Sequence, residues 1–148
     1  MEPDIGHEAL RLLARREHSG QELKHKLRAR GYAEADIEQL IEALAERGLV
    51  SDRRMVETYV AERIRKGFGP LRIRHELHRR GLADDLIDGY LESAVQDWWN
   101  TMAAVYAKKF GPVPANDRKA HTQQARFLEY RGFPAELIAD FLNGKDPF

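Results

Sequence analysis

The 148-residue sequence contains no cysteine, which excludes disulfides, thiolate nucleophiles, iron–sulfur clusters and zinc sites with cysteine ligands. It has no apolar run near the roughly 20 residues that a membrane-spanning helix needs. Its start, Met1-Glu2-Pro3-Asp4, is acidic and is followed by no apolar stretch, so we expect no signal peptide. Together these absences predict a soluble, cytoplasmic protein that makes no membrane contact.

An excess of charge of one sign is also missing, since 24 lysines and arginines balance 24 aspartates and glutamates. A protein that coats nucleic acid by bulk positive charge is therefore disfavoured, although a local basic patch is not. Hydrophobic residues make up 43% of the chain, enough to bury a core. Charged residues make up 32%, which predicts the highly charged surface of a thin helical assembly.

A unit of about 50 residues occurs three times along the chain. Its clearest mark is an Arg-Gly-apolar triplet, whose glycines Gly31, Gly81 and Gly132 are 50 and then 51 residues apart. A leucine lies four residues before each glycine, and an isoleucine lies six residues after it. The residues in these two columns are Leu27, Leu77, Leu128, Ile37, Ile87 and Ile138. Such a period predicts a supersecondary unit that completes its core by stacking on its neighbours.

Each unit is predicted to contain three helices. Apolar residues recur at helical spacing after each glycine, Ser19 and Glu22 form a capping-box pattern, and Pro70 fits a first helical position. The glycine of each triplet fits a left-handed turn that ends the second helix of its unit. The helices are predicted at 5–17, 20–30, 34–47, 52–67, 70–80, 84–99, 101–110, 118–131 and 135–143.

No segment alternates at a period of two for long enough to form a sheet, so the predicted fold class is all-α. We expect three tandem three-helix repeats, 1–51, 52–100 and 101–148, packed into an elongated, curved rod. Usual helix dimensions give such a rod a length of about 60 Å. Trp98 and Trp99 fall where repeats two and three meet. Their predicted role is to pack that contact, with base stacking or partner binding as the alternative.

The balanced net charge conceals a pattern that follows the repeat. Residues 63–81 contain seven basic residues and one acid, Glu76, whereas residues 82–100 contain five acids and no lysine or arginine. The first repeat has the same order, with a basic second helix followed by an acidic third helix. Basic side chains can simply pair with acidic ones of the next helix. The large excess in 63–81 instead favours a surface that binds phosphates or an acidic protein face.

These basic helices supply the candidate partner-binding and DNA-binding residues. Repeat two contributes the strongest candidates, and repeats one and three contribute the others. The residues are Arg65, Lys66, Arg72, Arg74, Arg79, Arg80, Lys24, Lys26, Arg28, Arg30, Lys108, Lys109, Arg118, Lys119 and Arg126.

Signals of catalysis or metal binding are weak. Gly67-Phe68-Gly69-Pro70 lacks the Lys-Ser/Thr that completes a phosphate-binding loop, and Phe68 is expected to pack in the core or to stack on a ligand. His75 and His78 share a helix face, but they lie among arginines that repel a cation. The helix after each glycine turn is acidic in repeats one and two, which argues against reading of the DNA major groove. We therefore expect a non-enzyme without metal or cofactor.

Several segments of the sequence together form a family pattern. The central segments are Gly48-Leu49-Val50-Ser51-Asp52, Tyr59-Val60-Ala61, Arg65-Lys66-Gly67-Phe68-Gly69-Pro70, Glu76-Leu77 and Arg80-Gly81-Leu82. The flanking segments are Glu22-Leu23, Lys26-Leu27, Gly31-Tyr32, Phe127-Leu128 and Arg131-Gly132-Phe133. These segments resemble the RecX family of bacterial recombination regulators. The likeness covers nearly the whole chain and is most specific in its centre.

The resemblance implies a monomer that binds the RecA recombinase filament on single-stranded DNA, lies in its helical groove and inhibits its ATP hydrolysis and strand exchange. Some members of the family also bind DNA directly, which implies weak non-specific DNA binding here. Reversal of Arg72 and Arg74 to glutamate is then expected to abolish inhibition and to preserve helicity. The alternative prediction is a non-specific nucleic-acid-binding helical module that grips phosphates with its basic helices.

Overall fold

The computed structural model describes residues 4–93, 95–112 and 117–146, and in these stretches the chain forms nine α-helices and no strand. The all-α prediction is confirmed, and residues 1–3 of the acidic start lie outside the described residues. Within the described ranges no helix is long and apolar enough to cross a bilayer. The helices are α1 (Ile5–Arg15), α2 (Gly20–Ala29), α3 (Glu34–Glu46), α4 (Asp52–Arg65), α5 (Pro70–Arg79), α6 (Asp84–Ser93), α7 (Val95–Phe110), α8 (Arg118–Arg131) and α9 (Ala135–Leu142).

The three repeats comprise α1–α3, α4–α6 and α7–α9. In the first two, all three helices pack on one another, and in the third α8 packs on both α7 and α9. The repeated leucine and isoleucine columns form the core, with Leu27, Leu77 and Leu128 fully buried and the isoleucines at most 2% exposed. The repeat pattern therefore identifies the buried faces correctly.

The glycine of each triplet adopts the predicted left-handed conformation. Its φ is +89° at Gly31, +81° at Gly81 and +102° at Gly132. In every case the glycine N–H donates to the carbonyl three residues earlier, and the next N–H donates to the carbonyl of the repeat leucine. These bonds satisfy carbonyls that the end of a helix would otherwise leave without partners. A residue with a side chain would be strained in this conformation.

The predicted division between helices 84–99 and 101–110 is wrong, because Asn100 lies inside α7 together with Trp98 and Trp99. The Trp98 indole Nε1–H donates to the Leu91 carbonyl of α6 at 3.0 Å. This hydrogen bond joins α6 to α7, the first helix of repeat three.

The tryptophan pair has the predicted packing role. Trp98 is 4% exposed and lies in the core that repeats two and three share. Trp99 packs edge to face on Phe141, with ring centroids 5.5 Å apart. Two other helices end two residues before their predicted ends, α1 at Arg15 and α4 at Arg65.

The described residues bury two hydrophobic cores. Repeat one has its own core, which includes Leu23, Leu27 and Ile37. Repeats two and three share a single core that runs from Met55 to Leu142. Repeats two and three therefore form one packed body, and repeat one is attached to it.

Consecutive repeats meet in the same way at two places, which we call the first joint (repeats one and two) and the second joint (repeats two and three). At each joint the start of the second helix of one repeat rests on the Arg-Gly turn of the next. At the first joint Ser19 Oγ donates to the Arg80 carbonyl at 2.5 Å. At the second joint the Gly69 N–H donates to the Arg131 carbonyl at 2.8 Å, and the Leu71 N–H donates to the Gly132 carbonyl at 2.9 Å.

The two joints differ in chemistry at corresponding positions. Beside the first joint, Arg54 Nε forms an ion pair with Glu17 Oε1 at 2.5 Å. Counted from the repeat glycines, the corresponding residues at the second joint are Val105 and Gly67. A Cβ on Gly67 would lie only 2.6 Å from Val105 Cγ2, so this contact is apolar and tight. The first joint is therefore held mainly by polar contacts, whereas the second continues the apolar core.

Candidate functional site

Five of the candidate cations form ion pairs inside the protein. The pairs of Arg28 and Arg74 join a basic helix to the acidic helix that follows it. In these two cases the charges pair within the protein, which is the structural explanation that the sequence left open. The pairs are Arg28–Glu34 at 2.6 Å, Arg30–Glu8 at 2.6 Å, Lys66–Glu62 at 3.1 Å, Arg72–Glu76 at 3.5 Å and Arg74–Asp88 at 2.7 Å.

Seven other candidates form no ion pair and no ring contact with any residue that the structure describes. Their charges are available to a partner without the loss of an internal pair. They are Lys24, Arg65, Arg79, Lys108, Arg118, Lys119 and Arg126. The remaining three are Lys26, Arg80 and Lys109. Lys26 Nζ lies 2.8 Å from His18 Nε2, Arg80 stacks on the Tyr59 ring and Lys109 lies over the Phe127 ring.

The first joint brings together candidates that the sequence places in separate repeats. Lys26 and Arg28 on α2 line one cleft of about 480 Å³ with Arg79 and Arg80 at the end of α5. Glu22 is the one acidic residue in its lining. This first-joint cleft is therefore strongly cationic. The candidates on α7 and α8 are not part of it.

A second group, which we call the arginine–aromatic cluster, lies beside the second joint. Three guanidinium groups surround the Phe68 ring: Arg63, Arg72 and Arg131, with their central carbons 3.9, 4.5 and 4.8 Å from the ring centroid. Glu76 completes the cluster. Such contacts hold arginines in place and leave their charge uncancelled. Phe68 thus stacks on arginines from α4, α5 and α8.

Glu76 carries the negative charge of this cluster. Its carboxylate accepts hydrogen bonds from Tyr59 Oη at 2.5 Å and from Arg63 Nη2 at 2.8 Å. Burial alone would raise the pKa of Glu76, but these hydrogen bonds and the charges of Arg63 and Arg72 lower it. Burial, followed by the bond to Glu76, raises the pKa of Tyr59 to about 12. Glu76 is therefore ionised at neutral pH, and Tyr59 stays protonated and donates to it.

Two of the three arginines in the cluster, Arg63 and Arg131, were not among the candidates from the sequence. Arg63 lies in the basic stretch 63–81, and the sequence does not distinguish it from the other basic residues there. In the structure its guanidinium group packs on the Phe68 ring. Arg131 belongs to the Arg-Gly triplet, which the sequence explains as a turn. Its Nη1 donates to the Lys66 carbonyl at 3.2 Å across the second joint. Only this contact between repeats shows that Arg131 also helps to hold the second joint.

His18 is a buried titratable group beside the first joint. It is 1% exposed, its Nδ1 lies 2.9 Å from the Arg16 carbonyl, and its Nε2 faces Lys26 Nζ. A neutral ring with a proton on Nδ1 satisfies both contacts. Burial lowers the pKa of His18, and the Lys26 and Arg16 charges lower it further against the raising effects of the Arg16 carbonyl and Glu22.

We expect the free energy of unfolding to fall as the pH decreases below about 6.5, the ordinary pKa of histidine. In that range the unfolded chain binds a proton at His18 more readily than the folded chain does, so acid favours unfolding. The loss attributable to His18 is at most about 1.4 kcal/mol per pH unit. Urea denaturation at pH 7.5 and pH 5.5 measures it.

The variant His18→Gln retains one donor and one acceptor, and it should lose less stability between these two pH values than the wild type. His25→Gln, which removes an exposed histidine of the same repeat, is the control. Equal pH dependence in the wild type and in His18→Gln would contradict the prediction.

Fold and surface define the class of this protein. It is a helical repeat protein whose cationic clefts and clusters lie at the contacts between repeats. Among the residues that the structure describes, no group of three or more histidine or acidic side chains could hold a metal ion.

Comparison with known families identifies the chain further. Models of the first, second and third three-helix domains of RecX match residues 7–44, 51–91 and 96–142. The chain belongs to the RecX family. It is 44% identical over 138 residues to Regulatory protein RecX of a Pseudomonas putida strain, a match that covers 93% of this chain and 88% of the relative. It is 45% identical over 130 residues to Regulatory protein RecX of Halorhodospira halophila, over 88% of this chain and 81% of the relative.

Solved structures support the fold. The crystal structure of RecX from Lactobacillus salivarius matches with a TM-score of 0.83 and 20% sequence identity, over 97% of this chain and 96% of that one. A second crystal structure, of a regulatory protein RecX, matches with a TM-score of 0.78 and 19% identity over 95% of this chain and 74% of the other. At these identities the likeness establishes the nine-helix repeat architecture of the described residues.

Proposed function

We propose that this protein is a negative regulator of homologous recombination and DNA repair that binds the RecA filament on single-stranded DNA and inhibits its ATP hydrolysis and strand exchange. Membership of the RecX family supports a regulatory role. The observation that carries the proposal is the convergence of Lys26, Arg28, Arg79 and Arg80 from two repeats on the first-joint cleft. Cationic surface placed at contacts between repeats suits a partner that is itself repetitive.

The mechanism requires no chemistry by the protein. The chain docks as a cytoplasmic monomer in the groove of the filament, bridges adjacent recombinase subunits and favours a filament state that hydrolyses ATP poorly. Several modest contacts along the repeats add up through multivalency. Complementary charge determines the position of the protein on the filament and its association rate more than it determines the binding affinity. No cofactor takes part, and the protein is not an enzyme in this mechanism.

A second candidate function is non-specific binding of nucleic acid. The observation that favours it is the set of candidate cations, such as Arg65, Arg79 and Arg126, that form no ion pair in the described part of the chain. Binding of this kind needs no protein partner, and its affinity falls steeply with salt. The acidic helices α3 and α6, which follow the glycine turns, count against it because they repel phosphates.

The deciding experiment is a titration of RecA ATP hydrolysis, dependent on single-stranded DNA, with this protein. The recombinase should come from the same cell, and the DNA should be in large excess so that masking of the strand cannot imitate inhibition. We expect hydrolysis to stop at fewer than one molecule of this protein per recombinase subunit. Inhibition that begins only when the DNA itself is saturated would contradict the proposal and favour the nucleic-acid-binding function.

A further inference from the structure

The two most exposed large apolar residues among the described residues both belong to the second joint. Tyr130 on α8 is 73% exposed and Leu71 on α5 is 56% exposed. Both flank Arg72: Leu71 precedes it in the chain, and the Arg72 guanidinium lies 5.0 Å from the centroid of the Tyr130 ring. Arg72 Nη1 also donates to the Tyr130 carbonyl at 3.3 Å. Two exposed apolar residues from different repeats thus adjoin Arg72, one in the chain and the other in space.

The corresponding positions at the first joint are polar. Counted from the repeat glycine, Gln21 and Arg79 at the first joint correspond to Leu71 and Tyr130 at the second. Gln21 and Arg79 both line the first-joint cleft. A joint can therefore form with polar residues, Gln21 and Arg79, at these two positions. The turn geometry does not require leucine and tyrosine at the second joint. Their exposure indicates an interaction surface.

The surroundings of the pair are cationic. In the arginine–aromatic cluster, Arg63 and Arg72 pair with the same carboxylate, that of Glu76, whereas Arg131 packs on Phe68 and forms no ion pair with the described residues. An apolar centre with arginine and tyrosine at its edge is the composition typical of the energetic centre of a protein interface. A partner surface that is complementary to this one presents carboxylates around an apolar side chain.

We propose that Leu71 and Tyr130 anchor a protein partner by burying an apolar side chain of the partner that is flanked by acidic residues. This inference rests on the proposed function, in which the partner is a subunit of the recombinase filament. A nucleic acid is disfavoured as the occupant because Leu71 offers neither a stacking face nor a phosphate ligand, and its burial gains free energy only against an apolar group.

The test measures binding of the full chain, carrying a fluorescent label, to preassembled recombinase filaments and, separately, to bare single-stranded DNA. The double variant Leu71→Ser/Tyr130→Ser is expected to bind filaments at least about tenfold more weakly, because truncation of an interface anchor typically costs that much. Its affinity for bare DNA should stay unchanged. Tyr130→Phe, which retains the ring, should bind filaments within about twofold of the wild type.

The matched control is Leu10→Ser, which removes a leucine that is 47% exposed on α1, away from the second joint. It should bind filaments as the wild type does, and thermal melting of all variants checks that they fold. Unchanged filament binding by the double variant would overturn the inference and leave the proposed function intact. An equal loss on bare DNA would overturn it in favour of a nucleic-acid contact. Failure of the wild type to bind filaments would overturn the proposed function itself, and this inference with it.

Discussion

Replacement of Gly132 by alanine is expected to lower the free energy of unfolding of the body formed by repeats two and three by about 3–4 kcal/mol. Two costs add. The φ of +102° disfavours any residue with a side chain by about 1–2 kcal/mol. The new Cβ would lie 2.4 Å from Arg72 Cβ and 2.7 Å from the Arg72 backbone nitrogen, so the second joint would have to open.

Gly31→Ala is the matched control for this prediction. Gly31 has the same turn and a φ of +89°, but a Cβ there would meet no atom within 4 Å, since no other repeat of the described structure packs on this turn. Only the conformational cost of about 1–2 kcal/mol remains. Urea denaturation followed by circular dichroism measures both variants. Equal losses in the two variants would show that the contact between Gly132 and Arg72 does not contribute to stability.

Reversal of Arg65 and Arg79 to glutamate is expected to raise the concentration that half-inhibits RecA ATP hydrolysis by at least about tenfold. Both side chains are exposed and form no ion pair with the described residues, so their replacement removes attraction to the partner and breaks no internal pair. The melting temperature should change little, since exposed charges usually contribute little to stability. Inhibition of hydrolysis, titrated as above, is the measurement.

The structure makes this pair a better test than reversal of Arg72 and Arg74, which the sequence suggests. Arg74 is paired with Asp88 at 2.7 Å, and Arg72 stacks on Phe68 at 4.5 Å. Glutamate at either position would disturb the fold as well as the surface. The expectation for the Arg72 and Arg74 variant stays a prediction, and reversal of Arg65 and Arg79 separates binding from stability more cleanly.

Arg47→Glu is the control, because Arg47 is an exposed arginine outside the candidate set. It should inhibit hydrolysis as the wild type does. If Arg65→Glu/Arg79→Glu also inhibits at wild-type concentrations, these cations are not part of the interface, and the first-joint cleft loses its support. A similar loss in the Arg47→Glu control would instead indicate a general effect of net charge.

The sequence by itself determines the repeat and the helices. The columns of leucine and isoleucine, the glycine turns and the capping box of Ser19 and Glu22 are all found as predicted. These features depend on the helical period and on backbone conformation, which act over a few residues. A pattern kept three times therefore identifies buried faces and turns without knowledge of how the repeats are arranged.

The tertiary structure alone decides how the repeats meet, because those contacts join residues far apart in the chain. It gives Gly132 a second role beneath Arg72, places the Trp98 indole on the Leu91 carbonyl and separates paired cations such as Arg74 from unpaired ones such as Arg79. It also places Arg72, which follows Leu71, against Tyr130 at the second joint. Each outcome depends on the relative placement of whole repeats, which is fixed by burial of a shared core and by hydrogen bonds between turns and helix starts. The helical spacing of apolar residues within one repeat does not specify that placement.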